Sequence, residues 1–310
     1  MTKEQIFITG ASGLIGLQLV NQLLKKNYRV TGYDLCPIKN NIEDKNFKFF
    51  TGSVLDKNKI LKSIGNSTII IHLAAYLGVK KTEENNLTCL NINIEGTLNM
   101  LEIAIQKKIK RFIFASSSEI YGEQKFFPIS ERAEPKFKSI YGTSKIVCEE
   151  YIKSYHQKFN LNYNILRFFN IYGTEQRDDF VISKFIKRLK NKKPLIIFGN
   201  GSQIRSFCHV SDAVKGLLKV ILYGKKNIIY NVGNNNQPIS ILNLSKKIIK
   251  LSKLKGKIKK IKFEESDRKK TREINKRIPD IKLLTSHTGY KPSISLESGI
   301  RQLLKKYKVI

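Results

Sequence analysis

Tyr141 and Lys145 stand four residues apart in the stretch Tyr-Gly-Thr-Ser-Lys, at the start of a segment patterned as a helix. That spacing puts both side chains on one helix face. An ammonium near a phenol favours the phenolate and lowers its pKa, which makes a base usable near neutral pH. Tyrosine and lysine at this spacing also occur on ordinary helices, so the surroundings decide. The apolar run Arg111–Ser116 leads into Ser116-Ser117-Ser118-Glu119-Ile120-Tyr121-Gly122. Hydroxyls after a strand lie where alternating folds place their active sites. A serine there can share or relay a substrate proton with the tyrosine, and the combination points to proton-transfer chemistry.

A second constellation opens the chain. Residues 6–16 read Ile-Phe-Ile-Thr-Gly-Ala-Ser-Gly-Leu-Ile-Gly, and a helical pattern follows from Leu14 to Lys26. Gly10 permits a tight turn, Gly13 lets the backbone approach a pyrophosphate, and Gly16 lets helix and strand pack closely. The first N–H groups of the helix then face the phosphates. A second apolar stretch, from Arg29 to Tyr33, ends in Asp34, eighteen residues after Gly16. A carboxylate there accepts hydrogen bonds from an adenosine ribose and repels a 2′-phosphate, so NAD is favoured over NADP.

Apolar strands and amphipathic helices must position these groups. Expected strands are Phe47–Phe50, Thr68–Leu73, Arg111–Ser116, Tyr163–Phe168 and Pro194–Phe198. Expected helices are Lys57–Ile64, Leu87–Gln106, Ile140–Lys158, Ile182–Asn191, Val210–Tyr223, Ile241–Ser252 and Leu296–Tyr307. Their alternation predicts an α/β fold, a doubly wound parallel sheet of the Rossmann type. Regularity falls after about residue 170, which suggests a nucleotide-binding core over 1–170 and a smaller C-terminal substrate-binding lobe over 171–310, interleaved with the core. The lysine-rich stretch 253–277 reads as a polar surface segment.

The 310 residues are 41% hydrophobic, enough for a sizeable core. No apolar run is long enough to span a membrane, and the first expected strand begins too early to leave room for a signal peptide. Cys36, Cys89, Cys148 and Cys208 are widely spaced and form no metal pattern, so reduced thiols and a cytoplasmic location are expected. The formal charge of +32 is spread through the chain with no nucleic-acid-binding module. It reads as solvated surface that also steers an anionic substrate, and no nucleic-acid partner is expected.

Taken together these motifs resemble the extended short-chain dehydrogenase/reductases, in particular the nucleotide-sugar epimerase/dehydratase group. The resemblance rests on Gly10–Gly16, Asp34, His72-Leu73-Ala74-Ala75, Asn93 with Gly96-Thr97, Ser116–Gly122, Tyr141 with Lys145, and Arg167–Gly173. It continues through Gly199–Val210 with Arg205, and through Pro279-Asp280-Ile281 before Gly289-Tyr290-Lys291-Pro292. It implies that Tyr141 is the acid/base, that Lys145 tunes it and holds the nicotinamide ribose, and that Ser117 bonds the sugar hydroxyl. NAD would lie along Gly10, Ser12, Gly13, Leu14, Ile15, Gly16, Asp34, Ser53, Val54, Leu73, Ala74, Ala75, Asn93 and Ser116. Asn170 and Arg205 would hold the sugar diphosphate, with Lys270 or Arg272 as a second cation. The family often has an aspartate where this chain has Ser53. Ser118-Glu119 stands where one dehydratase class carries an acid and a base, so Glu119 is a C5 base, a substrate contact or a capping acid of the turn. The resemblance implies a homodimer, and 4-epimerisation of a nucleoside-diphosphate sugar is the expected activity. Dehydration and decarboxylation begin with the same C4 oxidation and are the alternatives.

Overall fold

Continuous apolar runs such as Ile6-Phe7-Ile8 and Ile69-Ile70-Ile71 suit strands covered on both faces, which is the condition of a parallel sheet. The computed structural model describes residues 4–39, 42–136, 138–262 and 273–310, and it forms these runs into a seven-stranded parallel sheet. The strands are β1 (Gln5–Thr9), β2 (Arg29–Asp34), β3 (Phe47–Thr51), β4 (Ile69–His72), β5 (Arg111–Ser117), β6 (Tyr163–Phe168) and, at one edge, Ile228–Val232. Their order is Ile228–Val232, β6, β5, β4, β1, β2, β3. The chain fills one side of β1, then returns to β4 on the other. The crevice between the carboxyl ends of β1 and β4 is therefore the switch point where such sheets take ligands.

Helices cover both faces. On one, α1 (Leu14–Leu24) packs Leu19, Val20 and Leu23 with Ala213, Val214 and Leu217 of the helix Val210–Tyr223. On the other lie α2 (Lys57–Ser63), α3 (Val79–Glu84), α4 (Asn86–Leu90), α5 (Gly96–Gln106) and α6 (Ile140–Phe159). Ile60, Met100, Leu101, Ile103, Cys148 and Ile152 from this layer share a core with Phe7, Ile70 and Phe112. Helices Val181–Lys190, Ile241–Ser252 and Leu296–Lys306 surround a separate core, while the short helix Lys282–Thr288 joins the first face through Leu284. Among the described residues no helix is long and apolar enough to cross a membrane.

Two expectations change. The helix over 87–106 is not uniform: α4 passes into a π-helical turn at Asn91–Glu95 before α5 begins. One extra residue in that turn re-aims Asn93 without ending the helix, and periodicity alone does not reveal it. The described parts of the polar segment 253–277 carry two short strands that were not expected. Ile258–Ile261 pairs in parallel with Leu195–Phe198, and Lys276–Arg277 pairs with Ile204–Ser206. Lysines on the exposed positions hide the first of these strands from a hydropathy reading.

Candidate active site

Gly10 has φ +71°, and a Cβ there would lie 2.7 Å from the Ala74 nitrogen. At Gly16 it would lie 2.0 Å from the Gly10 carbonyl oxygen. Only glycine lets β1, the turn and α1 meet the end of β4 this closely. Gly13 forms the start of α1 and has no side chain to cap it, and the first turn carries no acidic residue. The N–H groups of Leu14, Ile15 and Gly16 lack intrahelical partners, an arrangement that suits an anion at the sheet's switch point. Asp34, at the end of β2, is tied to this turn: its carboxylate accepts from Ser12 N at 3.0 Å and Cys36 N at 3.1 Å. Ser53 holds its own turn, accepting from Leu55 N at 3.2 Å, while the Tyr33 hydroxyl donates to its carbonyl at 3.1 Å. Val54 beside it is buried against Gly96. A glycine cradle, an uncapped helix start and a fixed carboxylate fit a dinucleotide.

A chain of hydrogen bonds braces the far side. The Thr97 hydroxyl donates to the Asn93 carbonyl at 2.6 Å, so it accepts from His72 Nε2 at 3.2 Å. His72 Nδ1 is then the acceptor for the Thr9 hydroxyl at 2.6 Å, and Thr9 in turn accepts from Ala74 N at 3.3 Å. Burial, with the nearby Lys145 ammonium, pushes the His72 pKa down to about 3. Neutral His72 thus links β1, β4 and α5 behind Leu73, Ala74 and Ala75. The Asn93 amide is engaged as well: it accepts from Tyr76 N at 2.7 Å and donates to Ser144 Oγ at 3.0 Å.

Ser139 caps α6, accepting from Gly142 N at 3.0 Å, and Tyr141 follows in the first turn. Tyr141 is half-buried at the carboxyl end of β5. The surrounding protein raises its pKa and the Glu119 carboxylate adds to this, while a hydrogen bond with Ser117 draws it down. Lys145 is buried, donates to the Ala115 carbonyl at 2.8 Å and lies 4.5 Å above the Phe114 ring. Burial lowers its pKa to about 8. The expected lowering of the Tyr141 pKa by Lys145 is therefore not found in the chain alone. The ammonium is turned to Ala115, 5.7 Å from the tyrosine ring centre, and burial and Glu119 outweigh it.

Ser117 Oγ accepts from Glu119 N at 3.1 Å, closing the turn after β5. Glu119 Oε2 accepts from the Ser139 hydroxyl at 2.8 Å, and Oε1 faces Arg277 at 3.7 Å. Ser118 is buried. Asn170, with φ +43°, donates to the Ser206 carbonyl at 3.0 Å. Arg205 pairs with Glu273 at 2.8 Å. Lys270 and Arg272 lie outside the described residues.

Ser116, expected along the cofactor, donates its hydroxyl to Glu149 Oε1 at 2.5 Å. Glu149 is completely buried and pairs with Arg167 at 2.6 Å. The sequence reading gave Glu149 no role. An acid on the buried face of α6, one turn past Lys145, is the signal that would have found it.

The sequence profile of the NAD dependent epimerase/dehydratase family matches residues 6–233. A Methanocaldococcus jannaschii protein, provisionally named a UDP-glucose 4-epimerase, is 36% identical over 314 residues and covers 98% of each chain. A UDP-N-acetyl-alpha-D-glucosaminuronate decarboxylase of Bacillus cytotoxicus is 32% identical and covers 99% of each chain. A UDP-glucuronic acid 4-epimerase of Bacillus cereus, solved with UDP-glucuronic acid and NAD, is 30% identical with a TM-score of 0.89, covering 98% of this chain and 99% of that one. The names of these relatives give different reactions, and each match runs nearly the length of the chain. The chain belongs to the NAD-dependent epimerase/dehydratase family of nucleotide-sugar enzymes.

Proposed function

We propose that the chain is a nucleoside-diphosphate-sugar 4-epimerase in which Tyr141 takes the proton from the sugar 4-hydroxyl and returns it at the end of the cycle. The observation that carries this reading is the placement of Tyr141 in the first turn of α6, whose cap Ser139 is bonded to Glu119 in the turn that follows Ser117 at the carboxyl end of β5. Ser117 holds the reacting oxygen. A bound NAD would supply reversible hydride acceptance for C4 of the sugar and a positive charge that would favour the Tyr141 phenolate. Gly10–Gly16 hold its pyrophosphate, Asp34 its adenosine ribose and Lys145 its nicotinamide ribose. Asn170 and Arg205 hold the sugar diphosphate, so phosphate must replace Glu273 at the Arg205 guanidinium. The 4-keto sugar turns over between the two halves of the reaction, and there is no net redox change.

Ser118 and Glu119 favour epimerisation over dehydration. Residue 118 is a buried hydroxyl where one dehydratase class carries an acid, and Glu119 is engaged with Ser139 and Arg277. A decarboxylating reading has one observation in its favour: the Arg277 guanidinium beside Glu119 is a fixed cation that suits a sugar carboxylate. Products from UDP-glucose and UDP-glucuronate, resolved by mass, test these readings. Unchanged mass with a new C4 isomer is expected. Loss of carbon dioxide supports the second reading, and loss of water contradicts both.

A further inference from the structure

Tyr141, Lys145 and Glu149 follow one another at four-residue intervals on α6 and share one face. Lys145 takes the Ala115 carbonyl. Glu149 takes the next residue: Oε1 accepts from the Ser116 hydroxyl at 2.5 Å and from Arg167 Nε at 3.0 Å, and Oε2 accepts from Arg167 Nη2 at 2.6 Å. Ser116 and Arg167 are direct neighbours across β5 and β6. Glu149 thus clasps a cross-strand pair, and Ser117 follows immediately. The other side of Arg167 is also satisfied. Its Nη1 donates to the Tyr121 hydroxyl at 2.9 Å and the Glu131 carbonyl at 3.0 Å, and Tyr121 donates to Asn231 Oδ1 at 2.7 Å.

A buried carboxylate and guanidinium carry a large desolvation cost, and well-packed apolar residues often replace such pairs without loss of stability. Stability alone therefore does not account for this pair. The reaction offers another reason. Proton transfer needs Tyr141 within about 2.6–3.2 Å of the sugar oxygen, and a misplacement of about 1 Å costs on the order of a hundredfold. That distance depends on how far α6 stands from the turn that carries Ser117.

We propose that Glu149 is a positioning residue for the chemistry at Tyr141, setting the separation between the catalytic face of α6 and the end of β5. The proposal rests on the reading of Tyr141 as the base. Glu149 is fully buried and does not meet the substrate. Its charge has a second effect, on Lys145. Groups facing Lys145 are Cys148, Glu149 and Tyr141 from α6, Cys89 from α4 and His72 from β4. Burial lowers the Lys145 pKa, and Cys148, Cys89 and Glu149 oppose that fall. Loss of the Glu149 charge lets the pKa fall further, so the ammonium is lost at a lower pH.

The test is steady-state turnover of UDP-glucose or UDP-glucuronate, whichever reacts faster, by Glu149→Gln across pH. Expected are a kcat lowered about ten- to a hundredfold, a KM within about twofold of wild type, and an alkaline limb moved to lower pH. Glu149→Gln leaves the Arg167 charge buried alone, so the double variant Glu149→Leu with Arg167→Met keeps the test valid where the single variant fails to fold. It is expected to melt near the wild type and to keep the loss in kcat. Wild-type kcat in either folded variant, a pH limb that does not move in Glu149→Gln, or a rise in KM alone overturns the proposal. Tyr141→Phe separates the two levels, since loss of a general base costs at least about a hundredfold. A Tyr141→Phe enzyme with near-normal turnover removes the base reading itself. An inactive one beside fully active Glu149 variants removes only the positioning role.

Discussion

His72 sits between Thr9 and Thr97 with both ring nitrogens used, and its pKa in the fold is about 3. In the unfolded chain a histidine titrates near 6.5. As pH falls, the unfolded state takes up the proton first, so stability present above about pH 6.5 is lost progressively down to about pH 3. The slope is about 1.4 kcal/mol per pH unit, or about 2 kcal/mol between pH 6.5 and 5. Denaturant unfolding at pH 7 and pH 5 measures this, and His72→Gln is expected to show the smaller difference. Equal differences in the two proteins contradict the assignment. Tyr141, Lys145, Ser117 and Asp34 were legible because their types and spacings are local. The engagement of Ser116 with Glu149, and of Arg205 with Glu273, was not. Each joins residues far apart in the chain, and only the pairing of β5 with β6 or the return of the chain to Ile204–Ser206 brings them together.

Strand, turn and helix at the start of the chain form one unit because their contacts leave no room for a side chain. A methyl group at Gly16 would sit 2.0 Å from the Gly10 carbonyl, which forces the turn out of shape. Gly16→Ala is expected to abolish NAD binding by calorimetry and to lower the melting temperature. A variant that binds NAD with wild-type affinity contradicts the role of the cradle. This unit was readable from sequence, as were most strand and helix positions, because burial on both faces writes an apolar run. The π-helical turn at Asn91–Glu95 was hidden, since one inserted residue leaves the helical pattern nearly unchanged. Ile258–Ile261 was hidden because among the described residues it is bonded to one neighbouring strand, and it carries lysines on its outer positions.

Over the whole molecule lysine and arginine outnumber the acids 57 to 25, and the acids are unevenly placed. Asp212 is the only acidic residue between Asp179 and Glu264, and it is buried, bonding Ser293 and Ile294. We propose that the outer face of α6 lies in a homodimer interface. Ile146 and Val147 are half-buried there, and Tyr151 is 39% exposed. Light scattering is expected to give twice the chain mass of 35.7 kDa, and Tyr151→Glu is expected to shift the protein toward monomer. A monomeric wild type contradicts this arrangement.

Epimerisation at C4 leaves every other carbon-bound hydrogen in place, whereas dehydration exchanges the C5 hydrogen with solvent. NMR of the product formed from UDP-glucose or UDP-glucuronate in deuterated water reads this directly. A C4 epimer with no deuterium at C5 is the predicted result, and deuterium at C5 contradicts the assignment of Tyr141 to a simple oxidation and return at C4.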